Sequence, residues 1–137
     1  MPETEKNRVE GGTLYLVATP IGNLADMTER GVKVLTECDF IAAEDTRNTA
    51  GLLAYFGIRK ELVSYHEHNK KSRGDEIAAR LEGGESCALV TDAGMPAISD
   101  PGEDLVRLCG ERGIPVRIVP GACAARALGA RDRALRV

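Results

Sequence analysis

Short apolar runs and amphipathic stretches alternate along this chain. Thr13 to Ala18 is a continuous apolar run rich in β-forming residues, bounded by Gly11-Gly12 before it and Thr19-Pro20 after it. A continuous run of this length fits a strand buried on both faces, as in a parallel sheet. Asp39–Ala43, Glu61–Tyr65, Ser86–Thr91 and Val116–Val119 repeat the pattern and predict further strands. Between them the period is helical. Asp26 and Glu29 have the spacing of an Asp-x-x-Glu capping box, which predicts a helix through about Cys38 with Val32, Val34 and Leu35 inward. Thr46–Phe56 predicts a second helix, stopped by Gly57. Ser72–Leu81 predicts a third, with Ile77, Ala78 and Leu81 on its apolar face and Gly83-Gly84 closing it. Pro101–Arg112 predicts a fourth, with proline in the first turn, where its missing N–H costs nothing. Pro120–Ala124 opens a further helix. The alternation predicts the α/β class: a mainly parallel five-stranded sheet with flanking helices and right-handed crossovers.

Residues 1–12 read as a disordered leader and 13–124 as the α/β domain. Residues 125–137 read as an atypical tail, with four arginines and no convincing amphipathic face.

Composition narrows the function. The 137 residues carry a net charge of -3 with 43% hydrophobic residues, too apolar for a disordered chain and about the right length for one domain. No run approaches the roughly 20 apolar residues of a membrane span, and the charged start, Met1 to Glu10, is no signal peptide. The chain is expected in the cytoplasm. Cys38, Cys87, Cys109 and Cys123 form no C-x-x-C pair and read as free buried thiols of a reducing compartment. Only two histidines are present, so a His-rich zinc site is not expected. Five aromatics and no Trp argue against a base-stacking platform. Charge divides unevenly, -6 over residues 1–100 and +3 over 101–137, but neither sum steers the domain to nucleic acid unaided.

In open α/β sheets ligands bind beyond the carboxyl ends of the strands, so the loops after each strand hold the candidate chemistry. Thr19-Pro-Ile-Gly-Asn-Leu24 is a tight turn without the G-x-G-x-x-G of a dinucleotide site. Glu44-Asp-Thr-Arg47 sets two carboxylates and an arginine at a strand end. A carboxylate there suits a ribose hydroxyl or a proton, and equally suits a helix cap. His66-Glu-His-Asn69 suits acid–base work or phosphate contact, and equally a solvated loop. Asp92 to Gly102 is long, with two Gly and two Pro among small residues that let a ligand approach the backbone. No G-K-[ST] phosphate loop is present.

Four stretches together resemble the ribosomal RNA small subunit methyltransferase I family of the tetrapyrrole methylase superfamily. They are Leu14-Tyr-Leu-Val-Ala-Thr-Pro-Ile-Gly-Asn-Leu24, Ala42-Ala-Glu-Asp-Thr-Arg47, Ser64-Tyr-His-Glu-His-Asn69 and Asp92-Ala-Gly-Met-Pro-Ala-Ile-Ser-Asp-Pro-Gly102. The resemblance runs from about Gly12 to Ala124. It implies transfer of the methyl group of S-adenosylmethionine to the 2′-hydroxyl of a cytidine in small-subunit ribosomal RNA. It also implies two α/β domains with the cofactor between them, a cytoplasmic homodimer, and no metal. By motif, Pro20, Ile21 and Gly22 correspond to the turn that approaches the cofactor. Asp92, Gly94, Met95, Pro96 and Ile98 correspond to the cofactor-lining segment, and Ala122 and Cys123 to the adenosine side. The Met95 position is often Thr in the family, so a hydroxyl contact is lost there. Asp45 and His66 are the candidate catalytic bases, and Arg47 or the Lys70-Lys71-Arg73 cluster is the candidate phosphate holder, the cluster reading equally as a solvated helix start.

The family pattern continues into a second domain of similar size, whereas here it gives way after Ala124 to Ala-Arg-Ala-Leu-Gly-Ala-Arg-Asp-Arg-Ala-Leu-Arg-Val137. This reads as a truncated end, the chain being the N-terminal, cofactor-binding half. Two other readings remain: a methylase of a small tetrapyrrole-like substrate, and a non-catalytic α/β binding or dimerisation module.

Overall fold

Every residue of the first apolar run that becomes strand is buried, as a strand covered on both faces requires. The structure is a computed structural model that describes residues 9–19, 24–91 and 102–119. Its elements are β1 (Leu14–Ala18), a 3-10 turn (Leu24–Asp26), α1 (Glu29–Glu37), β2 (Phe40–Ala43), α2 (Thr46–Tyr55), β3 (Glu61–Ser64), α3 (Lys70–Glu82), β4 (Cys87–Thr91), α4 (Gly102–Glu111) and β5 (Val116–Val119). The strands form one sheet in the order β3-β2-β4-β1-β5, parallel at every pairing. The α/β class and the five-stranded sheet are those the sequence predicts.

Alternate strand residues feed two cores. Leu14, Leu16, Phe40, Ala42, Cys87 and Leu89 face Ile77, Ala78 and Leu81 of α3 and Leu105 and Cys109 of α4. Tyr15, Val17, Ile41, Ala43, Ala88 and Val90 face Val34 and Leu35 of α1 and Leu52 and Leu53 of α2. The chain moves from β1 outward to β3 with helices on one face, then turns back through β4 to β5 with helices on the other. Right-handed crossovers give this result when the direction across the sheet reverses. Val9 packs against the second core, and Gly12 N–H donates to the Glu85 carbonyl at 2.7 Å.

Three local expectations need correction. The cap of α1 is Thr28, whose hydroxyl accepts from Gly31 N–H at 3.0 Å. Asp26 instead ends the 3-10 turn, so the Asp26/Glu29 capping box does not form. Val32 is only partly covered, while Val34 and Leu35 are buried. Finally, α3 begins at Lys70 rather than Ser72, and Gly74 joins its buried face. Pro101 and the helix expected from Pro120 lie outside the described residues.

One close backbone approach demands glycine. A Cβ on Gly11 would stand 2.3 Å from the Gly84 carbonyl oxygen, and Gly84 itself has φ +105. Gly11→Ala is expected to cost about 1–3 kcal/mol, because backbone must move to admit the methyl group. Gly51→Ala, in α2 with open space around the new methyl, is expected to stabilise by about 0.5–1 kcal/mol. Urea unfolding of both variants checks the opposite signs.

Cys38, Cys87 and Cys109 are buried free thiols. Burial pushes Cys38 and Cys109 up to about 11, and Cys87 well above its ordinary value. The thiolate is the reactive form. All three are therefore expected to resist Ellman's reagent at pH about 8 until the chain unfolds, which peptide mapping of the labelled cysteines checks. Cys123 lies outside the described residues. Among the described residues, no helix is long and apolar enough to cross a membrane.

Candidate functional site at the carboxyl edge of the sheet

Parallel strands deliver all their following loops to one edge. The register keeps that edge nearly level: Ala43 stands opposite Ser64 and Val90, and Ala18 opposite Thr91. Tyr65 N–H adds a hydrogen bond to the Ala43 carbonyl at 2.9 Å, one step past β3. Strand order then sorts the loops. Those after β4, β1 and β5 arise from three neighbouring strands, and those after β3 and β2 from the other two. The first group carries Pro20, Ile21, Gly22, Asp92, Gly94, Met95, Pro96, Ile98, Ala122 and Cys123, all outside the described residues. The second carries Asp45 and His66, both described.

Asp45 is exposed and caps α2. Its Oδ1 accepts from Arg47 N–H at 3.0 Å and Asn48 N–H at 3.2 Å. The capping alternative is thus realised, through one oxygen of the carboxylate. Glu44 and Arg47 beside it are exposed.

His66 is half-buried. Its backbone N–H donates to Asn69 Oδ1 at 2.8 Å, and its Nδ1 accepts from His68 N–H at 3.2 Å. Beneath the loop, burial pushes the Tyr65 phenol up to about 12.

The basic cluster is largely neutralised. Lys70 Nζ donates to Asp104 Oδ2 of α4 and lies 3.0 Å from Glu67 Oε2. The Asp104 bond, with Glu67 second, raises the Lys70 ammonium above its ordinary value. Arg73 pairs with Glu76 at 3.0 Å. Of the proposed phosphate holders, Lys70 and Arg73 are therefore held by carboxylates, while Lys71 and Arg47 are exposed. The Lys70–Asp104 bond spans 34 positions, and nothing in the spacing announces it. The sequence showed Asn69 only as part of the His66–Asn69 loop, and its bracing role was missed. Among the described residues, no three His, Cys, Asp or Glu side chains gather as metal ligands.

The profile of the Tetrapyrrole (Corrin/Porphyrin) Methylases matches residues 13–134. The chain belongs to this family. Among curated relatives, a Synechocystis sp. protein named Ribosomal RNA small subunit methyltransferase I is 57% identical over 113 residues, which are 82% of this chain and 40% of that protein. A protein of the same name from Escherichia coli O157:H7 is 54% identical over 114 residues, 83% of this chain and 40% of that one. The chain thus spans about 40% of the length of these relatives. Among solved structures, uroporphyrin-III-C-methyltransferase from Thermus thermophilus matches with TM-score 0.64 at 25% identity, over 86% of this chain and 52% of that one. Diphthine synthase matches in fold, with TM-score 0.64 at 18% identity over 80% of this chain and 44% of that chain. In chain order, the ten positions assigned by motif follow β1, β4 and β5 and lie outside the described residues.

Proposed function

We propose that this chain is the cofactor-binding part of a methyltransferase that modifies the 2′-hydroxyl of a cytidine in small-subunit ribosomal RNA. The observation that carries the reading is the sorting of loops along the carboxyl edge. The Glu44–Arg47 and His66–Asn69 loops, which resemble the ribosomal RNA branch, lie on adjacent strands β2 and β3. Beside them, β4 and β1 deliver the cofactor motifs. In this reading the substrate loops follow β2 and β3 and the cofactor motifs follow β4 and β1, with β2 and β4 paired between them. The identity to relatives named for ribosomal RNA supports the same substrate.

S-adenosylmethionine, when bound, supplies an electrophilic methyl group on a sulfonium. A ribose hydroxyl is a weak nucleophile until its proton leaves, so a base and close positioning carry the rate. Asp45 takes that role in our reading: Oδ1 anchors the carboxylate to α2 and Oδ2 accepts the hydroxyl proton as the O–C bond forms and the S–C bond breaks. Arg47 and Lys71 hold backbone phosphates. The protein works in the cytoplasm as a homodimer.

The test is incubation with unmodified small ribosomal subunits and methyl-tritiated S-adenosylmethionine, followed by nuclease digestion. Label in 2′-O-methylcytidine supports the reading. Label only in a uroporphyrinogen-type substrate, supplied in parallel, would move the assignment to the small-molecule branch that the uroporphyrin enzyme represents.

A further inference from the structure

Asn69 occupies the position before α3, where an asparagine side chain ordinarily accepts from the second or third N–H of its own helix. It makes no such bond here. Its Oδ1 accepts from His66 N–H at 2.8 Å, and its Nδ2 donates to the Ser64 carbonyl at 3.2 Å and to Ser64 Oγ at 3.1 Å. The side chain is turned away from the helix it precedes and ties the 65–69 loop to the last residue of β3. A favourable local bond is given up, and departures of this kind concentrate where function requires them. Inside the braced loop, His68 N–H donates to His66 Nδ1 at 3.2 Å, with the two rings edge to face and 5.8 Å apart. A ring nitrogen that accepts an N–H carries no proton, so the neutral His66 ring carries its proton on Nε2.

We infer that Asn69 is a positioning residue that holds His66 as a fixed Nε2–H donor for an oxygen of the RNA substrate, and not as the base. The RNA part of this inference rests on the proposed function; the positioning of His66 does not. Three observations meet in it: the diverted Asn69 side chain, the occupied Nδ1, and the half-buried position of His66 just past β3, the strand paired with β2, whose loop carries Asp45. Proton acceptance is thereby left to Asp45, and His66 supplies only a hydrogen bond.

Two readouts test it in the 137-residue chain. The first is the imidazole nitrogen spectrum of the ¹⁵N-labelled protein at mildly alkaline pH. The expected result is a single Nε2–H tautomer for His66, a mixture of tautomers in Asn69→Ala, and partial recovery in Asn69→Asp, which keeps the acceptor for His66 N–H. An Nδ1–H ring in the parent chain, or an unchanged tautomer in Asn69→Ala, overturns the positioning. Circular dichroism of each variant separates local from global change, and Asn69→Asp serves if Asn69→Ala does not fold. The second readout is binding to small ribosomal subunits. His66→Gln keeps a side-chain N–H and is expected to bind near the parent level, whereas His66→Glu offers only acceptors and is expected to lose about tenfold or more. Equal loss in both overturns the donor role. An Asn69-dependent tautomer in a chain that does not bind the subunits overturns the RNA reading and leaves the positioning intact.

Discussion

Asp45→Asn is expected to lower methyl transfer to small ribosomal subunits by about 10²–10⁴-fold, the usual contribution of a positioned base. The substitution is chosen because it separates two roles of one side chain. Asparagine caps helices as well as aspartate does, so the bonds from Arg47 and Asn48 N–H to the side-chain oxygen persist. The unfolding midpoint should therefore stay within error of the parent. The affinity for S-adenosylmethionine should stay too, because the proposed cofactor motifs follow β1, β4 and β5 rather than β2. What is lost is a carboxylate oxygen able to take a proton. Single-turnover rates beside a calorimetric cofactor titration give the answer. An unchanged rate would remove Asp45 from the base role, and a fall in stability matching the fall in rate would make it a cap alone.

Phe40→Ala is expected to destabilise the chain by about 3–5 kcal/mol. Phe40 is fully buried at the start of β2, between β3 and β4, and belongs to the core under α3 and α4. Truncation opens a cavity there. It also removes the face over which the Arg80 guanidinium lies, 3.7 Å from the ring centroid. Arg80 in turn binds Glu61 through two contacts, 2.9 and 3.0 Å, and Glu85 at 2.7 Å, at the edge of the sheet opposite the candidate site. Domains are typically stable by only 5–15 kcal/mol, so the loss is a large share of the total. Phe40→Leu, which keeps most of the volume, is expected to cost much less. Urea unfolding of the pair checks the prediction; a loss under about 1 kcal/mol for the alanine variant would mean that this core relaxes around the cavity.

The inner strands β1, β2 and β4 were legible because a parallel strand buried on both faces needs an unbroken apolar run, and few other structures do. Leu14–Ala18 and Cys87–Thr91 are such runs, and observed and predicted bounds differ by a residue at their starts. Helix bodies were legible by period and helix starts were not. Asp26 and Thr28 are both good caps near one another, and the choice fell to Thr28 because the chain makes a 3-10 turn through Asp26 first. That turn depends on tertiary context, which a capping pattern does not contain.

The candidate site was legible as loops and opaque as bonds. The motifs named Asp45 and His66 but could not say that one carboxylate oxygen is engaged by α2, or that His66 Nδ1 is occupied. The cluster Lys70-Lys71-Arg73 looked like a phosphate holder because its carboxylate partners lie on another element or on the same helix face. Glu76, three residues after Arg73, has the spacing of a helical ion pair and was legible, whereas Asp104, on α4, has no mark in a linear reading. Asn69 read only as the last residue of the His66–Asn69 loop, because the helix after it was expected to begin at Ser72 rather than Lys70. Its side chain faces the preceding strand, bonding Ser64, and no spacing in the sequence marks that turn.

The proposed function requires an S-adenosylmethionine site within this chain, formed by the segments that follow β1, β4 and β5. Calorimetric titration of S-adenosylmethionine into the 137-residue protein tests it most directly. Saturable binding is expected at one site per chain, with a Kd of roughly micromolar order. Heats of dilution alone, from a protein whose circular dichroism shows the α/β fold intact, would contradict it.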